Sequence, residues 1–328
     1  MQKLRHQVMK DLFKNETYIL GSGRSLLDLS TREVEKINKA DLVISLNKYL
    51  IFMEKVEIVP HVHLQFDATD NPSYYVFLKT LQKILSESKL HNILLGLSAS
   101  LFQMARNYLP EENLFTIYDN IEKWNNIAFE EQTWARSLSE KMFHFRGSMT
   151  SAINFANVLR PQNIIKLVGV DMSSNEYFFQ EEYDKDRCFH DWTYERMKKS
   201  GKHSNILDDA ELGGVSQELC IGWVRERVRD GGGDLVTVNP NTHYALKKIL
   251  EVHPFCVEES AGPTESGGEN LWYRERSGSL NVKKRDVKLK SRLSLRYRLV
   301  SNFFLVVLIK LHKRRTLASL KKNTHCVS

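Results

Sequence analysis

Cysteine is scarce in this chain. Cys188, Cys220, Cys256 and Cys326 lie far apart, and none belongs to a CxxC pair. That spacing excludes a disulfide framework and a zinc ribbon, and it fits a reducing compartment. Long apolar runs are absent too. The longest, FFLVVLI at 303–309, falls well short of the roughly twenty residues a bilayer span needs. The first residues, MQKLRHQVMKDLFKNETY, have no apolar core or cleavage site of the secretory kind. No internal repeat, GxSxG, HExxH, P-loop or kinase set is found.

Basic charge is missing from most of the chain, despite a formal +7. Residues 280–328 hold fourteen Lys and Arg against Asp286 alone, a local +13 that leaves about −6 on the rest. The basicity belongs to a tail, so a nucleic-acid groove in the body is not expected. In that tail Leu289, Leu293, Tyr297, Val300 and Phe304 recur at helical spacing among Lys288, Lys290, Arg292, Arg296 and Arg298. A basic amphipathic helix beside a short apolar segment suits an anionic membrane surface. The expected location is therefore cytoplasmic, peripheral on the inner face of the cell membrane, with a partner-binding helix as the other reading of the tail.

With 328 residues, 42% of them hydrophobic, the chain can bury one sizeable core. β-rich runs at 17–20, 42–46, 62–66, 92–96, 114–118, 164–168 and 235–238 alternate with helical patterns at 25–38, 72–88, 99–108, 148–160, 215–229 and 242–252. This alternation predicts an α/β fold, a Rossmann-like doubly wound, mostly parallel sheet. The catalytic-type domain is expected over 1–255, with a lid insertion at about 172–212. A linker rich in Gly, Ser and Glu follows at 256–279, then the tail at 280–328.

Strand TYIL runs into Gly21-Ser22-Gly23, and an amphipathic stretch starts at Arg24-Ser25. A strand, a glycine turn and a helix start make an anion site in α/β sheets, although the third glycine of GxGxxG is missing. Asn47 and Asp67 fall at the carboxyl ends of the second and third strands, where such sheets bind ligands. FRGSMT places Arg146, Ser148, Thr150 and Ser151 at one helix start, with Ser148 as expected N-cap and Arg146 suited to a phosphate or carboxylate. Asp171 leaves a buried strand (IIKLVGVD) ahead of Ser173, Ser174 and Tyr177. It either serves the site or accepts backbone N–H bonds. His190 and His203 lie in the insertion, and histidine is the side chain best suited to take a proton near neutral pH. His61 and His63 form HxH, read as edge-strand residues. Asp184 and Asp186 form a DxD attributed to chance. Asn239 closes the set in VNPNT.

The order GSGRSL, LNK, RGSMT, IKLVGVD, a Tyr- and His-bearing loop and VNPNT resembles the bacterial CMP-sialic-acid-dependent sialyltransferases of glycosyltransferase family 42, over residues 16–255. The resemblance implies a glycosyltransferase that moves a sugar from a CMP-type nucleotide-sugar donor to a surface glycan acceptor. Inversion without a metal cofactor is implied. Gly21, Ser22, Gly23, Ser25, Asn47, Arg146, Ser148 and Thr150 would surround the donor, and Ser22 stands where that family carries Asn. Tyr177 would face the leaving phosphate. The base would be His203, or His190. The stretch Val59-Pro60 to Asp67, with GSMT and LVGVD, is also similar to the 6-hydroxymethylpterin diphosphokinase-like family. That resemblance implies Asp67 and Asp171 handling Mg²⁺ and a triphosphate. A third reading is a non-catalytic nucleotide-binding membrane scaffold.

Overall fold

A computed structural model describes residues 16–66, 71–117, 133–145, 147–171, 176–190, 194–195, 199, 215, 217–238, 246, 249–253 and 255. The chain divides into two units, Met1–Ser260 and Ala261–Ser328. The second unit, with the tail, lies outside the described residues, as do Asp67, Arg146, Ser173, Ser174, His203 and Asn239. Among the described residues no helix is long and apolar enough to cross a membrane.

Seven strands form one sheet: β1 (Thr17–Leu20), β2 (Leu42–Leu46), β3 (Val62–Gln65), β4 (Leu94–Leu97), β5 (Leu114–Thr116), β6 (Ile164–Val168) and β7 (Asp234–Thr237). Their order is β5-β4-β3-β2-β1-β6-β7, and every pairing is parallel. A parallel sheet is covered on both faces, which is why its strands read as continuous apolar runs. The pleat divides them. Tyr18, Leu20, Val43, Leu95 and Leu97 join one core cluster. Ile19, Leu42, Ile44, Leu46 and Leu64 join the other.

The first face carries α1 (Thr31–Asn38), a 3₁₀ helix at Tyr49–Lys55, α2 (Asn71–Ser86) and α3 (Ala99–Ala105). The second carries α4 (Ser148–Leu159) and α6 (Gln217–Asp230). A short α5 (Gln180–Lys185) lies in the insertion. Successive strands step outward from β1 to β5, and the chain then returns to the other side of β1 as β6. That reversal leaves a crevice at the carboxyl ends of β1 and β6, where open α/β sheets bind ligands.

Several expectations need correction. The helix expected at 25–38 is two pieces: a 3₁₀ turn at Arg24–Asp28 and α1. Leu29 is extended, and Ser30 with Glu33 forms a capping box that starts a new helix. The 3₁₀ helix Tyr49–Lys55 was not expected. The HxH pair is not at a sheet edge, since β3 lies inside the sheet and His63 is fully buried. His61 Nδ1 accepts from Val43 N at 3.0 Å, and His63 Nδ1 meets Ser45 Oγ at 2.8 Å. Each imidazole is thus bound to β2.

Candidate functional site

The glycine turn is clamped to the exit of β6. Gly21 N donates to Val168 O and Gly23 N to Gly169 O, both at 2.7 Å. A Cβ on Gly21 would lie 2.2 Å from the Gly169 carbonyl oxygen, and one on Gly23 would lie 2.4 Å from Asp171 Oδ2. Gly21 is therefore required by backbone against backbone, and Gly23 by the Asp171 carboxylate together with the Gly169 carbonyl. Gly169 has φ +67°, and a side chain there would strike Leu26.

Two of the first N–H groups after the turn, those of Ser25 and Leu26, are occupied within the protein. Ser25 N donates to Asp171 Oδ2 at 2.9 Å, Ser25 Oγ donates to Asp171 Oδ1, and Leu26 N donates to Gly23 O. Asp171 takes the place that a phosphate would hold at a helix start. Of its two expected roles, accepting N–H bonds and shaping the loop is the one its geometry displays. Ser22 O accepts from Phe178 N at 3.0 Å, and Gly23 bridges to Tyr177.

That bridge begins a built wall. Residues 176–190 fall in the expected lid, yet Phe178, Phe179, Tyr183 and Phe189 are buried. The wall is fastened by Arg24 to Glu176, by Lys55 to Glu182 at 2.8 Å, and by Tyr75 Oη to Asp186 at 2.7 Å. Tyr177 stacks on Phe179, and Tyr183 meets both edge-on. Asp184 accepts from Tyr194 Oη at 2.8 Å. The DxD carboxylates therefore hold aromatic hydroxyls. Among the described residues no cluster of three or more His, Cys, Asp or Glu could hold a metal.

His190 closes this wall. Its ring stacks on Tyr194 with centroids 3.6 Å apart, and Nε2 lies 2.7 Å from Tyr183 O. A carbonyl only accepts, so in the neutral ring Nε2 carries the hydrogen and Nδ1 the lone pair. Lys48 places Nζ 5.2 Å from the Tyr183 ring centroid, so a cation sits between the end of β2 and the wall.

Across the crevice stands α4. Its N-cap is Gly147 at φ 118°, a residue with no side chain to cap the helix. Ser148 is therefore the first helical residue, a correction to its expected N-cap role. Its Oγ accepts from Asn47 Nδ2 at 2.9 Å. Asn47 has φ 46°, a left-handed turn that asparagine tolerates. Its Oδ1 accepts from Phe66 N at 3.3 Å. One amide thus ties the ends of β2 and β3 to the start of α4. Thr150 Oγ1 faces its own loop, donating to Phe145 O and Gly147 O and accepting from Phe145 N. Ser151 Oγ bonds His144 Nδ1 at 2.7 Å.

No family model, curated protein sequence or solved structure matches this chain. The site is therefore described from its own residues. Gly21, Ser22, Gly23, Ser25, Asp171 and Tyr177 are brought together at the exits of β1 and β6. Asn47, Ser148 and Thr150 gather at the start of α4, and His190 stands on the wall.

Three residues at this edge escaped the sequence reading. Lys48 was visible only as a neighbour of Asn47. Asn154 fastens the segment before α4: its Oδ1 accepts from Ala135 N and Phe143 N, and its Nδ2 donates to Ala135 O. His144 is buried, and burial pushes its imidazole down to about 4. Nothing in local sequence marks either buried residue, because both are defined by distant partners.

Proposed function

We propose that this chain is a glycosyltransferase that binds a CMP-type nucleotide sugar at the carboxyl edge of the sheet and transfers the sugar to a glycan acceptor. The observation that carries the reading is the start of α4. A twelve-residue helix with a glycine N-cap presents its N-terminus at the end of β2, fixed there by the Asn47–Ser148 bond. The N–H groups of a first helical turn and the helix dipole favour a phosphate. Arg146, next in sequence, would add charge. Asn47 would set the nucleoside end of the donor, and Tyr177 would donate to the departing phosphate.

In this reading the acceptor hydroxyl attacks the anomeric carbon from the face opposite the nucleotide. The carbon–oxygen bond to phosphate breaks, and its electron pair leaves with CMP. The hydroxyl proton passes to a histidine of the insertion, His203 or His190. If His190 is that base, its Tyr183 bond assigns the proton to Nδ1. Developing charge on the phosphate would be met by α4, Arg146 and Tyr177. The pyrophosphotransferase reading gains less support, because the Asp171 carboxylate is engaged by Ser25. Its cation would depend on Asp67. The proposed membrane-surface role of the tail is tested by deletion after Pro254. Loss of binding to anionic liposomes is expected, and continued sedimentation with them refutes it.

The central test is titration with CMP, UDP and ATP, with and without Mg²⁺, followed by thermal stability. A ligand that binds the folded state raises its melting temperature. A response to CMP that needs no metal is expected. Stabilisation by Mg-ATP alone would overturn the proposal. His203→Ala and His190→Ala, assayed for turnover and for CMP affinity, then assign the base. The variant that loses turnover but keeps affinity identifies it.

A further inference from the structure

We infer that a buried water completes the polar layer beneath Asn47, joining His63 Nε2 to the Gln65 amide and supporting the turn from which Asn47 reaches Ser148.

Ser45 and His63 are cross-strand partners in β2 and β3, and Gln65 follows His63 by two residues. The pleat therefore directs all three side chains to one face. All three are fully buried, among the apolar residues of that face. Ser45 Oγ satisfies His63 Nδ1. Among the described residues His63 Nε2 and both Gln65 amide atoms have no partner, and neither does Thr80 Oγ1 on α2, which packs over the same face.

Buried polar groups left unpaired are rare, because each forfeits its hydration without replacement. Here three such atoms come from neighbouring positions of one strand. The Gln65 side chain and the Asn47 backbone are the hydrogen-bonding groups that bear on the His63 ring. Neither completes a bond to Nε2. A buried water makes about three hydrogen bonds and is held by clustered polar atoms of this kind. It can accept from an N–H of Gln65 or His63 and donate to Gln65 Oε1 and to the Asn47 carbonyl. The layer lies directly under a non-glycine residue in left-handed conformation, a place where surrounding structure must hold the turn. His63 and Gln65 thereby become positioning residues for Asn47. This last step rests on the proposed role of Asn47 in donor binding.

A crystal structure of the full chain is the direct test. A water is expected within about 2.7–3.2 Å of Gln65 and of His63 Nε2. A Gln65 amide bonded directly to His63, with no water between them, overturns the inference. Gln65→Met keeps length and removes both polar atoms. Its melting temperature is expected to fall, whereas a rise would show that the atoms had no partner to lose. The same variant, titrated with CMP well below its melting temperature, is expected to bind about fivefold more weakly, the worth of one hydrogen bond. Unchanged CMP affinity beside a lowered melting temperature refutes the positioning role and keeps the water. A wild-type protein with no affinity for CMP refutes the donor reading, while the water is still judged by density and stability.

Discussion

Two buried histidines should make the folded domain unusually sensitive to mild acid. His63 and His144 are both buried, and loss of hydration pushes them down to about 3 and about 4 respectively. In the unfolded chain both return to about 6.5. The folded state therefore refuses protons that the unfolded state accepts. Their contribution is complete above pH 6.5 and declines as pH falls, levelling only near the folded values. Each histidine contributes a slope of about 1.4 kcal/mol per pH unit in that window. At pH 5, some 1.5 units below the unfolded value, the loss is ~2 kcal/mol per histidine and ~4 kcal/mol for the pair. That is a large share of the roughly 5–15 kcal/mol that holds a domain together. His61 is shifted in the same direction by burial and adds to the trend. Urea unfolding followed by tryptophan fluorescence at pH 7, 6 and 5 measures the slope. His144→Gln can keep a bond to Ser151 without titrating, and it should remove about half of the effect. Stability that stays level from pH 7 to 5, or a slope that His144→Gln leaves intact, would refute the reasoning.

Asp234 gives a second, more acidic transition at the opposite edge of the sheet. Burial pushes its carboxyl up, but bonds from Arg225 and Arg229 outweigh this and hold it at about 2. Its stabilisation, ~2 kcal/mol, should persist above pH 4 and vanish between pH 4 and 2; Asp234→Asn should lower stability by that amount at pH 7 and abolish this step in acid titrations. Gly21→Ala drives a methyl into the Gly169 carbonyl and should destabilise by about 1–3 kcal/mol; an unchanged urea midpoint would show that the β1–β6 exit can relax. Asp171→Asn should weaken the hold on Ser25 and lower stability by about 1–2 kcal/mol while leaving CMP affinity unchanged; a fall in affinity at intact stability would return Asp171 to the ligand. Asn47→Gly keeps the left-handed turn and removes the amide, so CMP affinity should fall further than stability; equal affinity would mean that Asn47 serves only the fold.

The sheet was legible because period and order suffice for it. Apolar runs such as TYIL and LVISL, spaced by helical patterns, require a parallel sheet covered on both faces. The division of 25–38 was less legible, although Ser30 and Glu33 form a capping pair in plain view. The apolar pattern ran across it, and pattern outweighed cap. The wall at 176–190 shows in the sequence only as a lid insertion, because its aromatics have no single period. They pack as a cluster whose order comes from Tyr75, Lys55 and the glycine turn, all distant in sequence. The unpaired atoms of His63 and Gln65 were invisible for the same reason. An alternating strand reads identically whether its buried polar residue has a partner or not.

The glycine turn shows why a motif's residues and its ligand must be argued separately. Gly21 and Gly23 are needed because something approaches their backbone closely. In GxGxxG turns that neighbour is a phosphate; here the close neighbours are the Gly169 carbonyl and the Asp171 carboxylate. A carboxylate at the start of the 3₁₀ turn already answers the Ser25 N–H and hydroxyl, so a second anion there would meet repulsion. The start of α4 has a glycine N-cap, which brings no carboxylate of its own. A phosphate entering the crevice should therefore be drawn across it, away from Ser22 and towards Ser148. If so, exchanging Ser22 for Asn should alter CMP affinity little, whereas Ser148→Pro, which removes the first N–H of α4 at a position where proline is tolerated, should weaken it. The reverse ranking in a CMP titration would place the phosphate back on the glycine turn.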